Sequence, residues 1–165
     1  MERLSILKSK IYTWDHLRRE IAMWRFKDKT IVFSNGCFDV LHLGHVEYLA
    51  KARDLGDILI VGLNSDDSVH RIKGSHRPVN NETARATILA AMSFVDGVIL
   101  FGEDTPHELI KLIQPDILVK GKDYEGREIV GSDVVKARGG QVVTIELTKG
   151  YSTTHTIELA QKVHL

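Results

Sequence analysis

The run SNGCFDVLHLGH at 34–45 holds two histidines, His42 and His45, on either side of Gly44. Gly44 lets a ligand approach the backbone, and the free N–H groups and dipole of a helix beginning there favour an anion. Two imidazoles can donate to that anion's oxygens, an arrangement suited to the phosphates of a nucleotide. Taken singly, each histidine reads as an ordinary cap or core residue. A metal pair finds no support: HExxH spacing is absent and no acidic cluster sits close in sequence beyond Asp39, so no metal ligand is assigned. What carries weight is the combination of glycine turn, Phe38-Asp39 and His-x-Gly-His at the end of an apolar strand.

Two further polar clusters are candidates. His70, Arg71, Lys73, His76 and Arg77 gather basic groups beside Gly74, either as a solvated loop or as a cationic loop able to close over phosphates. Ser152, Thr153 and Thr154 follow Gly150 at the start of a final helix, where one hydroxyl serves as N-cap and three exceed that need. Cys37 is the single cysteine, so it forms no internal disulfide or cysteine zinc site and reads as a small packing residue.

These residues must be positioned by regular elements. Nearly continuous apolar runs at 30–34, 58–63, 98–101, 117–119 and 142–145 read as strands buried on both faces. Helical stretches at 46–55, 82–94, 106–113 and 131–138 separate them. The alternation predicts an α/β fold: a doubly wound, Rossmann-like, parallel five-stranded sheet with helices on both faces. In such a sheet ligands bind outside the carboxyl ends of the strands, where the 34–45 run falls. Residues 1–28 read as an N-terminal helical extension, with Thr13 capping a stripe of Trp14, Leu17, Ile21 and Trp24 that packs on the sheet domain or on a partner chain. Residues 29–165 form the sheet domain, closed by a helix carrying Ile157, Leu159, Ala160 and Val163.

The 165 residues fit one domain on the prior of roughly 100–200 residues each. The chain has 22 Lys plus Arg against 22 Asp plus Glu, which argues against bulk binding of nucleic acid or an anionic membrane. No apolar run approaches the ~18 residues of a membrane helix, and Met1 to Lys10 has no apolar stretch of the signal-peptide kind, so a reducing cytoplasmic location is expected.

The run GCFDVLHLGHVEYL resembles the HxGH signature of the nucleotidyltransferase superfamily in its cytidylyltransferase-like branch. NSDDSVHRIKG at 64–74, RPVN at 77–80, FGEDTPHELI at 101–110, PDILVKGKDY at 115–124 and GYSTT at 150–154 extend the similarity to the adenylyltransferase domains of ADP-heptose synthases. These domains join D-glycero-β-D-manno-heptose 1-phosphate to ATP and release pyrophosphate. The resemblance implies His42, His45 and Lys73 as catalytic residues, with Lys73 on the α-phosphate and the incoming phosphate. It implies ligand contacts from Asn35, Gly36, Cys37, Phe38, Asp39 and Gly44, and from Arg85 facing the triphosphate, although Arg85 alone reads as an exposed helix arginine. Lys120, Gly121 and Asp123 fall near the base or ribose, and Ser152, Thr153 and Thr154 on the β- and γ-phosphates. ATP is then a substrate, with Mg²⁺ held mainly by phosphates. A small sugar phosphate is the other partner, a separate sugar kinase acts in the same pathway, and a homodimer is an assembly the family commonly adopts.

Two positions depart from relatives: Leu147 stands where glycerol-phosphate cytidylyltransferases usually carry arginine, and Lys122 where heptose adenylyltransferases often carry glycine. A CTP-dependent transferase acting on a polyol or aminoalcohol phosphate is the alternative enzyme. A nucleotide-binding module without catalysis is the alternative of another class.

Overall fold

A computed structural model describes residues 2–162, so Val163 and the end of the expected 29–165 unit lie outside the described residues. The apolar runs form parallel strands β1 (Ile11–Tyr12), β2 (Ile31–Gly36), β3 (Ile58–Asn64), β4 (Gly97–Phe101), β5 (Ile117–Gly121) and β6 (Gln141–Ile145). They lie in one sheet in the order β1-β4-β3-β2-β5-β6. The expected count of five is therefore short by one. The sixth strand comes from residues read as wholly helical: Ile11 and Tyr12 pair with Val98 and Ile99 at the sheet edge.

Alternation along the buried strands splits the core into two layers. Val32, Leu59, Val61, Leu63, Val98 and Val119 face one side, where α3 (Leu43–Arg53) contributes Tyr48, Leu49 and Ala52 and α5 (Glu82–Ala91) contributes Ala86, Leu89 and Ala90. Ile31, Phe33, Ile60, Ile99, Phe101 and Leu118 face the other, against α2 (Trp14–Phe26), α6 (His107–Ile113) and α7 (Ser132–Ala137). Helices cover both faces, which is why the strands read as unbroken apolar runs rather than alternating ones. The Trp14, Leu17, Ile21 and Trp24 stripe belongs to this second layer, with Leu17 and Ile21 buried and both tryptophans packed beside them. Thr13 caps α2 by accepting from the His16 amide at 3.3 Å.

The sheet also sets where a ligand fits. From β2 the chain steps to β3 and β4 on one side, then crosses to β5 and β6 on the other, so the topological switch point lies between β2 and β5. β2 pairs with β3 from Ile31 to Gly36, but with β5 only at Val32 and Phe33. Beyond Phe33 the two strands part and open a crevice at their carboxyl ends. The buried Tyr48 hydroxyl spans that gap, 2.8 Å from Ser34 Oγ on β2 and donating to the Val119 carbonyl on β5 at 3.1 Å.

Candidate active site

A cleft of about 370 Å³ opens at this switch point, within the usual size of small-ligand sites. Its wall includes every residue to which the family resemblance gave a catalytic or ligand-contact role except Arg85.

The floor is the turn after β2. A Cβ on Gly36 would lie 3.1 Å from the Phe38 ring, and Phe38 itself takes a φ of 44°, a left-handed conformation rare for an aromatic residue. This bend presents the turn to the cleft and sets Phe38 edge-on to His45, with ring centroids 5.3 Å apart. α3 begins directly after His42, three residues earlier than the apolar periodicity indicates, because the polar His-Leu-Gly-His turn lacks an apolar face. The His42 and His45 rings stack at 3.8 Å and 24°, and Tyr151 lies 6.4 Å beyond His42. A Cβ on Gly44 would meet the His42 ring at 3.1 Å, so glycine is what allows this stacking.

The His45 Nδ1 accepts from the His42 amide at 3.4 Å, which assigns the proton of the neutral ring to Nε2. Burial, with His42 and Lys73 nearby, pushes the His45 pKa down to about 4. Burial also lowers His42, whose Nδ1 is enclosed without a protein partner. The pair is thus uncharged at neutral pH, and can offer N–H donors but not cations.

The structure sorts the basic residues by role. Arg71 is spent on Asp104 at 2.8 Å and on the Gly102 carbonyl at 2.5 Å, which fastens α4 (Asp66–Lys73) to the loop after β4. Lys73 and Arg77 reach the cleft, whereas His70 and His76 do not line it. Arg85 is the correction. Its side chain is fully buried, donating to the carbonyls of Asn80 at 2.9 Å, Cys37 at 2.6 Å and Asn64 at 2.9 Å, and to Asp66 Oδ1 at 2.6 Å. It ties the turn after β2 to the end of β3 and, sealed from solvent, does not line the cleft. Cys37 accepts that bond through its carbonyl, while burial pushes its thiol pKa up.

Asp39 is also occupied. Its carboxylate takes Arg77 Nε and the amides of Val79 at 2.7 Å and Asn80 at 3.0 Å. Burial opposes ionisation there, but the Asn80 amide, the Arg77 guanidinium and the Val79 amide outweigh it and hold the pKa below the ordinary carboxylate value.

Across the crevice, Lys120 on β5 donates to Asn35 Oδ1 on β2 and sits 5.3 Å from the Tyr124 ring centroid. Burial pushes its pKa down to about 8, against the opposing pull of Asp123 and Cys37. Asp123 and Tyr124 lie on a short 3₁₀ turn, Lys122–Tyr124, beside Gly121 and Leu147. The last wall is the start of α8 (Thr153–Lys162), where Ser152 Oγ accepts from the His155 amide at 3.1 Å and Thr153 donates to the Val40 carbonyl at 3.4 Å. Two helix starts, α3 and α8, therefore flank one cleft.

Arg77, from the basic cluster, and Tyr124, beside Asp123, also line it, as do Tyr48, Leu147, Thr148 and Tyr151, to which the sequence assigned no site role. Tyr48 was detectable, since it falls on the face of α3 one turn after His45 and Gly44. Among the described residues, no group of three or more His, Cys, Asp or Glu side chains gathers to hold a metal, and no helix is long and apolar enough to cross a membrane.

A family model described as cytidylyltransferase-like matches residues 33–159, the segment that builds this cleft. The chain belongs to the cytidylyltransferase-like family. Within it, the chain is 55% identical over 150 residues to the bifunctional protein HldE of Syntrophotalea carbinolica, covering 91% of this chain and 31% of that protein. It is 50% identical over 154 residues to the HldE of Wolinella succinogenes, covering 93% of this chain and 32% of that one. The chain thus spans about a third of the length of these curated relatives. Among solved structures, a lipopolysaccharide core biosynthesis protein from Thermoplasma volcanium superposes with a TM-score of 0.60 at 31% identity, covering 75% of this chain and 99% of that one. A pantoate-β-alanine ligase from Francisella tularensis, at 16% identity and a TM-score of 0.61 over 93% of this chain and 77% of the ligase, shares the fold.

Proposed function

We propose that the chain is a nucleotidyltransferase that moves AMP from ATP to D-glycero-β-D-manno-heptose 1-phosphate, giving ADP-heptose and pyrophosphate. The observation that carries this reading is the convergence of the neutral His42–His45 pair, Lys73 and the Ser152–Thr154 hydroxyls on one cleft at the sheet's switch point. Similarity to the HldE proteins supports the choice of reaction.

A sugar 1-phosphate is ionised near neutral pH, so its oxygen attacks the α-phosphorus without a general base. A new P–O bond forms, the bond to the bridging oxygen breaks, and the electron pair leaves on pyrophosphate. The protein's task is alignment and stabilisation of the charge that grows on phosphorus and leaving group. His42 and His45 donate to the triphosphate oxygens, the amides at the starts of α3 and α8 hold the chain of phosphates, and Lys73 supplies the cation. Mg²⁺ enters as part of the nucleotide substrate, coordinated by phosphate oxygens and offsetting their charge. Such chemistry belongs in the cytoplasm, and a sugar kinase activity must supply the 1-phosphate.

The test is pyrophosphate release with ATP and with CTP, each paired with heptose 1-phosphate and with glycerol 3-phosphate. Turnover with ATP and heptose 1-phosphate is expected. Turnover confined to CTP replaces this reading with a cytidylyltransferase, and nucleotide binding without pyrophosphate from any pair replaces it with a binding module.

A further inference from the structure

We propose that Arg77 binds the phosphate of the acceptor substrate, a role that rests on the transferase reading above. The loop at 74–81 that carries it is held from two sides. Asp39 receives Arg77 Nε and the amides of Val79 and Asn80, Asn80 Nδ2 donates to the Asp39 carbonyl at 3.0 Å, and Arg85 Nε grips the Asn80 carbonyl at 2.9 Å. The Arg77 side chain is 17% exposed, so it is neither a free surface arginine nor one sealed in the core.

Asp39 satisfies Nε of the guanidinium. Nη2 is not satisfied: it is enclosed with no hydrogen-bond partner, in a residue that lines the cleft. Buried donors are rarely left unpaired, and one carried by a residue that lines the cleft can be satisfied by an acceptor that the ligand brings. A planar, cationic fork with a free N–H matches a phosphate monoester.

The position selects the acceptor phosphate over the triphosphate. The turn after β2 has different neighbours at consecutive residues: the Asp39 side chain reaches Arg77, whereas the Val40 carbonyl accepts from Thr153 at the start of α8. In-line transfer places attacking and leaving oxygens on opposite sides of the α-phosphorus. With the leaving pyrophosphate on the α3 and α8 amides, Arg77 is left for the incoming phosphate.

The experiment compares the full chain with Arg77→Met and with Arg77→Lys, which keeps a cation for Asp39 if the methionine variant does not fold. Two quantities are read: KM for heptose 1-phosphate in the pyrophosphate assay, and the Kd of α,β-methylene-ATP by calorimetry. The expected result is a KM raised about tenfold or more with the analogue's Kd within about twofold of the unmutated value. A purely structural role moves both together. The proposal is overturned if the analogue's Kd rises as much as KM, which makes Arg77 a triphosphate ligand, or if neither changes, which leaves Nη2 without a ligand role. Unmutated protein that turns over no heptose 1-phosphate at all overturns the transferase reading instead, before any variant is compared.

Discussion

His45 shows how local packing decides chemistry. The ring is a neutral donor because burial, His42 and Lys73 lower its pKa to about 4 from the ordinary 6.5. His45→Ala is expected to lower kcat by about 100-fold or more, as loss of a donor to developing charge does, while the circular dichroism of the fold is kept. The depressed pKa also predicts how stability depends on pH. Between about 4 and 6.5 the unfolded chain binds a proton at this position and the folded chain does not, so stability is lost as pH falls through that window. Melting temperature should therefore drop on acidification from 6.5 to 4, and a His45→Gln variant should show a shallower slope. The motif itself was legible because residue type and spacing suffice to recognise it, whereas its charge state depends on neighbours that only the fold supplies.

At the scale of elements, Arg85 marks the limit of reading charge from sequence. It lies on α5 with Ala86, Leu89 and Ala90, the face buried against the sheet, and that periodicity pointed inward even though an arginine suggested phosphate. Its guanidinium holds the turn after β2, the end of β3 and the Asn80 loop in register. Arg85→Met leaves Asp66 without its cation and three carbonyls without a donor, and should cost about 3–5 kcal/mol in urea unfolding. A loss under about 1 kcal/mol would show that these elements hold together without it. The long apolar strands were legible for the converse reason, since burial on both faces leaves an unbroken hydrophobic run. β1 was not, because two residues cannot display a period, and only the edge of β4 makes Ile11 and Tyr12 a strand. Tyr151 and Thr148 sit in a connection with no periodicity, so their approach to the cleft was equally hidden.

For the whole molecule, the equal numbers of basic and acidic residues take on a different meaning once the fold places them. Arg71, Arg77 and Arg85 are each paired with an aspartate, and the cleft draws on helix starts and neutral imidazoles as well as on Lys73 and Lys120. A phosphate site of this kind needs no basic field. The sheet order brings together groups from β2, α3, α4, β5 and α8 that are up to 119 positions apart in the chain, between Asn35 and Thr154. The central claim is that this assembly transfers a nucleotidyl group, and ³¹P NMR of the chain incubated with ATP and heptose 1-phosphate tests it most directly. Nucleotidyl transfer gives paired growth of a nucleoside diphosphate diester and pyrophosphate; growth of ADP and orthophosphate, with no diester, means that the chain does not carry it out.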